Sequence, residues 1–165
     1  SAIHILRTEL GVDIIPEAVH EGFAHVTKLT GLMGRWQTLR SKPTVICDTG
    51  HNVGGWEHLA EHLKVLRQYC GQIYMIVGMV NDKDISGVLS MLPKNATYYF
   101  TKASVKRALS EKELQSLAMQ SGLHGDTYPD VETAVTAAKE KANKNDFIFV
   151  GGSSFIVADL LKFHV

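Results

Sequence analysis

The residues able to do chemistry gather in a few turns. The stretch Val45-Ile46-Cys47-Asp48-Thr49-Gly50-His51-Asn52-Val53-Gly54-Gly55 runs from an apolar, β-branched segment into Asp, Gly, His, Asn and a glycine pair, and an amphipathic segment follows. That pattern predicts a strand, a tight turn and a helix start. It puts Asp48 at the strand's carboxyl end, where open α/β sheets bind ligands. A carboxylate there can bond a ribose hydroxyl or hold a metal, or it can accept nearby backbone N–H groups and shape the turn; the spacing leaves these open. His51 is either a titratable donor and acceptor in a functional turn or a surface residue beside a helix cap. Asn52 makes a good N-cap. Gly151-Gly152-Ser153-Ser154 is a second turn of this kind. Free N–H groups at a helix start attract anions, but Ser153 or Ser154 is needed as the cap in any case. Gly34-Arg35-Trp36 offers a guanidinium in a loop, able to clamp phosphate or to remain solvated. In Asn81-Asp82-Lys83-Asp84 one Asp is an N-cap, and Lys83 is then free for a ligand or for water.

Other patterns carry less. His58-Leu59-Ala60-Glu61-His62 fits a zinc-protease spelling. On a helical wheel, however, Trp56, Leu59, Ala60 and Leu63 define the buried face and His58, Glu61 and His62 fall opposite, without the cleft and third ligand a catalytic zinc needs. No metal site is expected. The chain has no G-x-G-x-x-G after a strand and no G-x-x-x-x-G-K-[ST], so it carries no nucleotide fingerprint of its own. Seventeen basic residues balance seventeen acidic ones, which predicts no nucleic-acid partner. No apolar run approaches the roughly 20 residues that span a bilayer. Two cysteines, Cys47 and Cys70, make neither a disulfide framework nor a metal quartet, and the first residues lack the layout of a signal peptide. A cytoplasmic location is the expectation.

These turns need elements to hold them. At 165 residues and 45% hydrophobic content the chain suits one packed domain. Ile3, Leu6 and Leu10 recur at helical spacing with Gly11 behind them. The chain thus begins inside a helix with no N-cap, as a piece cut from a longer protein does. Pro16 opens a second helix over about 16–29, with Val19, Phe23 and Val26 along one stripe. A short strand over 36–39 precedes the strand 44–48. From there strands at 73–77, 97–101, 126–128 and 146–150 alternate with helices over about 53–69, 85–92, from 110 (behind the capping box Ser110-Glu111-Lys112-Glu113), 131–142 and a last one carrying Ile156, Val157, Leu160 and Leu161. Alternation of this kind predicts an α/β fold, a doubly wound and mostly parallel sheet.

Taken together and in order, Gly34-Arg35, Asp48-Thr49-Gly50-His51-Asn52, Gly78-Met79 with Asp82-Lys83-Asp84, and Gly152-Ser153 with Phe155 resemble the C-terminal domain of folylpolyglutamate synthase/dihydrofolate synthase, in the Mur ligase superfamily. The family's patterns are G-R, D-x-A-H-N-P, G-M-x-x-D-K-D and G-S-x-[YF]; Gly50 and Val53 stand here for the usual Ala and Pro, and neither change alters a polar group. The resemblance runs from about Pro16 to the end. It implies a Rossmann-like domain over residues 12–165, with residues 1–11 a remnant of the last helix of a preceding central ATPase domain. It implies part of an ADP-forming acid–amino-acid ligase, inactive in isolation, that joins L-glutamate to folate or dihydropteroate through an acyl phosphate. ATP and Mg2+ would be bound mainly by the missing central domain. Arg35 would contact ATP phosphates, Asp48 would hold the nucleotide's ribose side, and His51 and Ser153 would position the incoming glutamate. His51 is thereby the catalytic candidate. Lys83 would pair with a glutamate carboxylate. A peptidoglycan Mur ligase domain and a non-catalytic flavodoxin-like binding module are the alternatives.

Overall fold

Side-chain alternation along the strands builds the fold. In β2 (Thr44–Asp48), Val45 and Cys47 face one side of the sheet and Ile46 the other; in β6 (Phe147–Gly151), Ile148 and Val150 oppose Phe147 and Phe149. Both faces are therefore apolar and both need covering. The computed structural model describes residues 2–81 and 84–163. Six strands order as β1-β2-β6-β3-β4-β5, adding β1 (Gln37–Ser41), β3 (Ile73–Val77), β4 (Thr97–Phe100) and β5 (Gly125–Thr127). β1 alone is antiparallel, and the other five are parallel. This is the doubly wound, mostly parallel sheet that the alternation predicts.

Helices α4 (Val53–Leu66), α5 (Ile85–Met91) and α6 (Glu111–Gln120) cover the face carrying Phe147 and Phe149, with Trp56, Leu59, Leu63, Leu89 and Leu114 in the core. Helices α7 (Val131–Lys141) and α8 (Ser154–Leu160) cover the other face through Ala134, Val135, Ala138, Ile156 and Leu160. α4 puts Leu59 in the core and leaves His58, Glu61 and His62 exposed, as its periodicity requires. Asn52, Asp84, Ser110, Asp130 and Ser153 each cap the helix behind them, their side-chain oxygens accepting an N–H of the first turn. No helix among the described residues is long and apolar enough to cross a membrane.

The chain divides into two compact units, Ser1–Met33 and Gly34–Val165. The first holds α1 (Ala2–Thr8), α2 (Pro16–Ala24) and α3 (Val26–Thr30), none of which buries a residue. The single helix expected over 16–29 is broken at His25, which has φ −117° and ψ 22°. Its ring Nδ1 lies 3.2 Å from the Glu21 carbonyl that its own N–H also reaches, and 3.1 Å from the Glu21 carboxylate. The side chain thus shares the acceptor that a continuing helix uses.

Candidate active site

Register brings the predicted turns to one edge. Gly151, the last residue of β6, pairs with Asp48 of β2 on one side and with Val77 of β3 on the other. Three strands therefore end level, and the turns at 48–52, 78–81 and 151–153 leave the sheet together. β6 is the last strand made yet lies between β2 and β3, so the sheet reverses its winding there. Such a switch point is where open α/β sheets hold ligands. Gly152 has φ 94°, and a Cβ on it would meet the Gly78 carbonyl oxygen at 2.7 Å. Only glycine lets these two turns approach so closely.

Asp48 is a buried carboxylate occupied by backbone. Its Oδ1 accepts the Gly50 N–H at 2.7 Å and its Oδ2 accepts the Trp36 N–H, also at 2.7 Å. The first bond shapes the turn that carries His51. The second reaches across 12 residues to the loop that carries Arg35. Beside Asp48, burial and then the Asp48 charge push the Cys47 thiol up to about 11, so Cys47 is a packed thiol and no nucleophile.

Trp36 has φ 42°, left-handed backbone that costs a bulky residue about 1–2 kcal/mol. Its ring lies edge-on to His62 at 5.0 Å and packs against Phe147 and Phe149 at 6.4 and 6.3 Å. Sequence spacing gives Trp36 only as a strand residue. The available signal is the Phe147/Phe149 pair on one face of a central strand, which takes aromatic partners from two places, Trp56 of α4 and Trp36 of this loop. Arg35 itself is exposed, and its guanidinium has no hydrogen-bond or ion-pair partner among the described residues.

The His51 ring is half-buried, with Nδ1 3.0 Å from the Thr49 carbonyl oxygen. A carbonyl only accepts, so Nδ1 carries the proton and, in the neutral ring, Nε2 keeps its lone pair. His51 is thus set up to accept a proton or a hydrogen bond at Nε2. Asn52 is spent on capping α4 through the Gly55 N–H at 2.9 Å. Ser153 is buried and accepts the Phe155 N–H at 3.2 Å, which leaves its hydroxyl proton to donate elsewhere.

Asp84 caps α5 through the Gly87 N–H at 2.9 Å. Asp82 and the predicted ligand residue Lys83 lie outside the described residues. The loop after β4 is tied to the loop after β3: Leu109 N–H donates to Met79 O at 2.9 Å and Asn81 N–H to Arg107 O at 3.2 Å. This brings Arg107 to the same edge, its guanidinium 4.8 Å over the Phe155 ring. Nothing in the sequence marks Arg107, because the Val80–Ala108 loop pairing, 28 residues apart, leaves no local signature. A cavity of about 390 Å3 opens elsewhere on the sheet unit, beyond β4 and β5, between Lys102, Ser104, Asp130 and Asp159. None of the predicted site residues lines it. Among the described residues no three His, Cys, Asp or Glu side chains converge to hold a metal.

Residues 34–154 match the protein family described as Mur ligase, glutamate ligase domain. The chain belongs to this family. As a Mur ligase glutamate ligase domain it is 32% identical over 133 residues to a dihydrofolate synthase/folylpolyglutamate synthase from Buchnera aphidicola subsp. Schizaphis graminum, covering 79% of this chain and 31% of that protein. It is 29% identical over 164 residues to the Escherichia coli K12 protein of the same description, covering 98% of this chain and 36% of that protein. The E. coli FolC structure in complex with ADP, without folate substrate, superposes with TM-score 0.82 at 28% identity, covering 98% of this chain and 37% of that one. The Yersinia pestis bifunctional folylpolyglutamate synthase/dihydrofolate synthase, complexed with AMPPNP and Mn ion, gives 0.75 at 28% identity, covering 92% and 35%. The domain thus spans about a third of the length of the curated relatives it matches.

Proposed function

We propose that this domain is the glutamate-delivering half of an ATP-dependent ligase that joins L-glutamate to folate or dihydropteroate. The observation that carries this is the meeting of Gly34-Arg35, Asp48–His51 and Gly152-Ser153, distant in sequence, at one edge of the sheet in a chain of this family. ATP phosphorylates the acceptor's carboxylate. The glutamate amine attacks the acyl phosphate, the C–N bond forms, phosphate leaves and the amine loses a proton. Arg35 and Asp48 form the nucleotide side, the unpaired guanidinium neutralising charge as the phosphoryl group moves. His51 and Ser153 form the amino-acid side: Nε2 accepts a proton from the amine, and the Ser153 hydroxyl donates to a carboxylate. Lys83 pairs with the other carboxylate. Placing the amine in this way supplies up to about 7–11 kcal/mol of the barrier. The divalent ion, Mg2+ in this assignment, falls mainly to the ATPase half.

In the same assignment residues 1–11 end the preceding ATPase domain, residues 12–165 are the ligase domain, and the whole enzyme works in the cytoplasm. Ile5, Leu6 and Leu10, apolar and exposed, support the assignment of residues 1–11, as they need a cover. The test is ADP release by the whole ligase. It requires L-glutamate together with a pteroate or folate acceptor. Turnover with a peptidoglycan precursor instead would place the domain in the other branch of the superfamily, and turnover by residues 1–165 alone would overturn the half-site reading.

A further inference from the structure

The loop from β4 to α6 runs as a strap along α8. Over residues 101–109 it carries Lys102, Lys106 and Arg107 and no acidic residue. Three sets of contacts hold it. Ser104 donates twice to Asp159 of α8, from its N–H to Oδ2 and from its hydroxyl to Oδ1, both at 2.7 Å. Leu109 N–H donates to Met79 O and Asn81 N–H to Arg107 O, which fastens the far end of the strap to the loop after β3. Between these anchors the Arg107 guanidinium lies over the Phe155 ring, 4.8 Å from its centroid. The Phe155 N–H in turn donates to Ser153 Oγ at 3.2 Å. One residue therefore bears the guanidinium on its ring and fixes the Ser153 hydroxyl through its backbone.

We propose that Arg107 is a substrate-contacting residue of the amino-acid side: its guanidinium, seated on Phe155, pairs with the carboxylate of L-glutamate that the Ser153 hydroxyl meets. Ser153 is neutral and only 2% exposed. A carboxylate drawn to its hydroxyl gives up water, and an ion so placed needs a hydrogen-bonding partner of opposite charge. Arg107 itself is exposed and lies at the same sheet edge. A ring contact engages the face of a guanidinium, whereas its five N–H donors lie in the plane and can serve a neighbour and a ligand together. Two of them in parallel match the two oxygens of a carboxylate, which a lysine cannot do. The ring also fixes where the guanidinium sits before a ligand arrives, so less side-chain freedom is lost on binding. The inference rests on the proposal that Ser153 faces the incoming amino acid.

The test is steady-state ligation by the whole ligase with L-glutamate and ATP varied separately, and with unfolding midpoints to confirm folding. Arg107→Met keeps an apolar stem against Phe155 and removes the charge. It raises KM for L-glutamate roughly 10- to 100-fold, as loss of a hydrogen bond to a charged group does, and leaves KM for ATP near wild type. Arg107→Lys recovers part of the loss, because it returns the charge without the fork. Phe155→Leu removes the ring and raises KM for L-glutamate about 2- to 5-fold, with no further rise in the Arg107→Met background. L-glutamine and L-isoglutamine, tested as competitors of L-glutamate, each lack one of its two carboxylate charges. Arg107→Met weakens inhibition by one of them and leaves the other unchanged. A wild-type KM for L-glutamate in Arg107→Met would overturn the contact. So would equal shifts for both amides, or KM values for glutamate and ATP that rise together, since these mark a structural role. Wild-type turnover that does not depend on L-glutamate would overturn the function proposed above as well.

Discussion

Helices α2 and α4 carry the same kind of apolar stripe and meet opposite fates. Trp56, Leu59 and Leu63 of α4 are buried, because the sheet face with Phe147 and Phe149 lies beneath them. Val19 and Phe23 of α2, with Val26 at the start of α3, recur at similar spacing, yet Phe23 is 70% exposed and neither helix buries a residue. Nine of the twelve large exposed hydrophobic side chains among the described residues fall in residues 1–33, so the contrast belongs to the whole unit and not to one helix. Helical spacing tells which face is apolar and says nothing about what covers it. Helices of five to nine residues are marginal in water without such a cover. The sheet unit carries its own core on both faces; the first unit does not.

Matched truncations in the two units should separate them. Phe149→Ala, in the core between α4 and β6, should cost about 3–5 kcal/mol in urea unfolding. Phe23→Ala should fall within about 0.5 kcal/mol of wild type. A cost of several kcal/mol at Phe23 would show that the first unit packs a core of its own and would break the comparison.

An intermediate effect is expected at Asp146, at the amino edge of the sheet. Its Oδ1 accepts Gln72 N–H and its Oδ2 accepts Asn143 N–H, both at 2.7 Å, so it joins the starts of β3 and β6. Burial alone would raise its pKa, but these N–H groups outweigh burial and hold it below the usual carboxylate range. A depressed folded value means that the stabilisation is complete above the unfolded carboxylate range, near about 4, and is lost as pH falls through the folded value. Asp146→Ala should therefore cost about 1.5–3 kcal/mol at neutral pH. Its stability should also fall less than wild type's as pH is lowered below about 4, as read by chemical denaturation at a series of pH values. Parallel pH profiles would remove Asp146 from the account of acid sensitivity.

Much of the sheet unit is legible in the sequence because its signals are local. Apolar runs ending in glycine, and Ser, Asp or Asn at each helix start, mark strands and caps that the structure places within a few residues of expectation. The turns carrying Asp48, His51 and Ser153 are legible for the same reason. What is not legible depends on partners distant in sequence. The insertion of β6 between β2 and β3 leaves no mark in either strand. The left-handed Trp36 depends on a carboxylate 12 residues on and on Phe147 and Phe149 more than a hundred residues on. Arg107 reaches the site edge through a loop pairing, and the helix breaks at His25, whose ring shares the Glu21 carbonyl with its own backbone N–H.

The most direct measurement is steady-state ligation by the whole ligase carrying His51→Ala or Arg35→Ala, with glutamate and ATP varied separately. Loss of a hydrogen bond to a charged group is worth about 1.5–3 kcal/mol, or roughly 10- to 100-fold. His51→Ala should raise KM for L-glutamate by that factor and lower kcat while KM for ATP stays near wild type, and Arg35→Ala should impair ATP use and leave KM for glutamate unchanged. Wild-type glutamate kinetics in His51→Ala, with wild-type ATP kinetics in Arg35→Ala, would contradict the claim that this sheet edge is half of an active site.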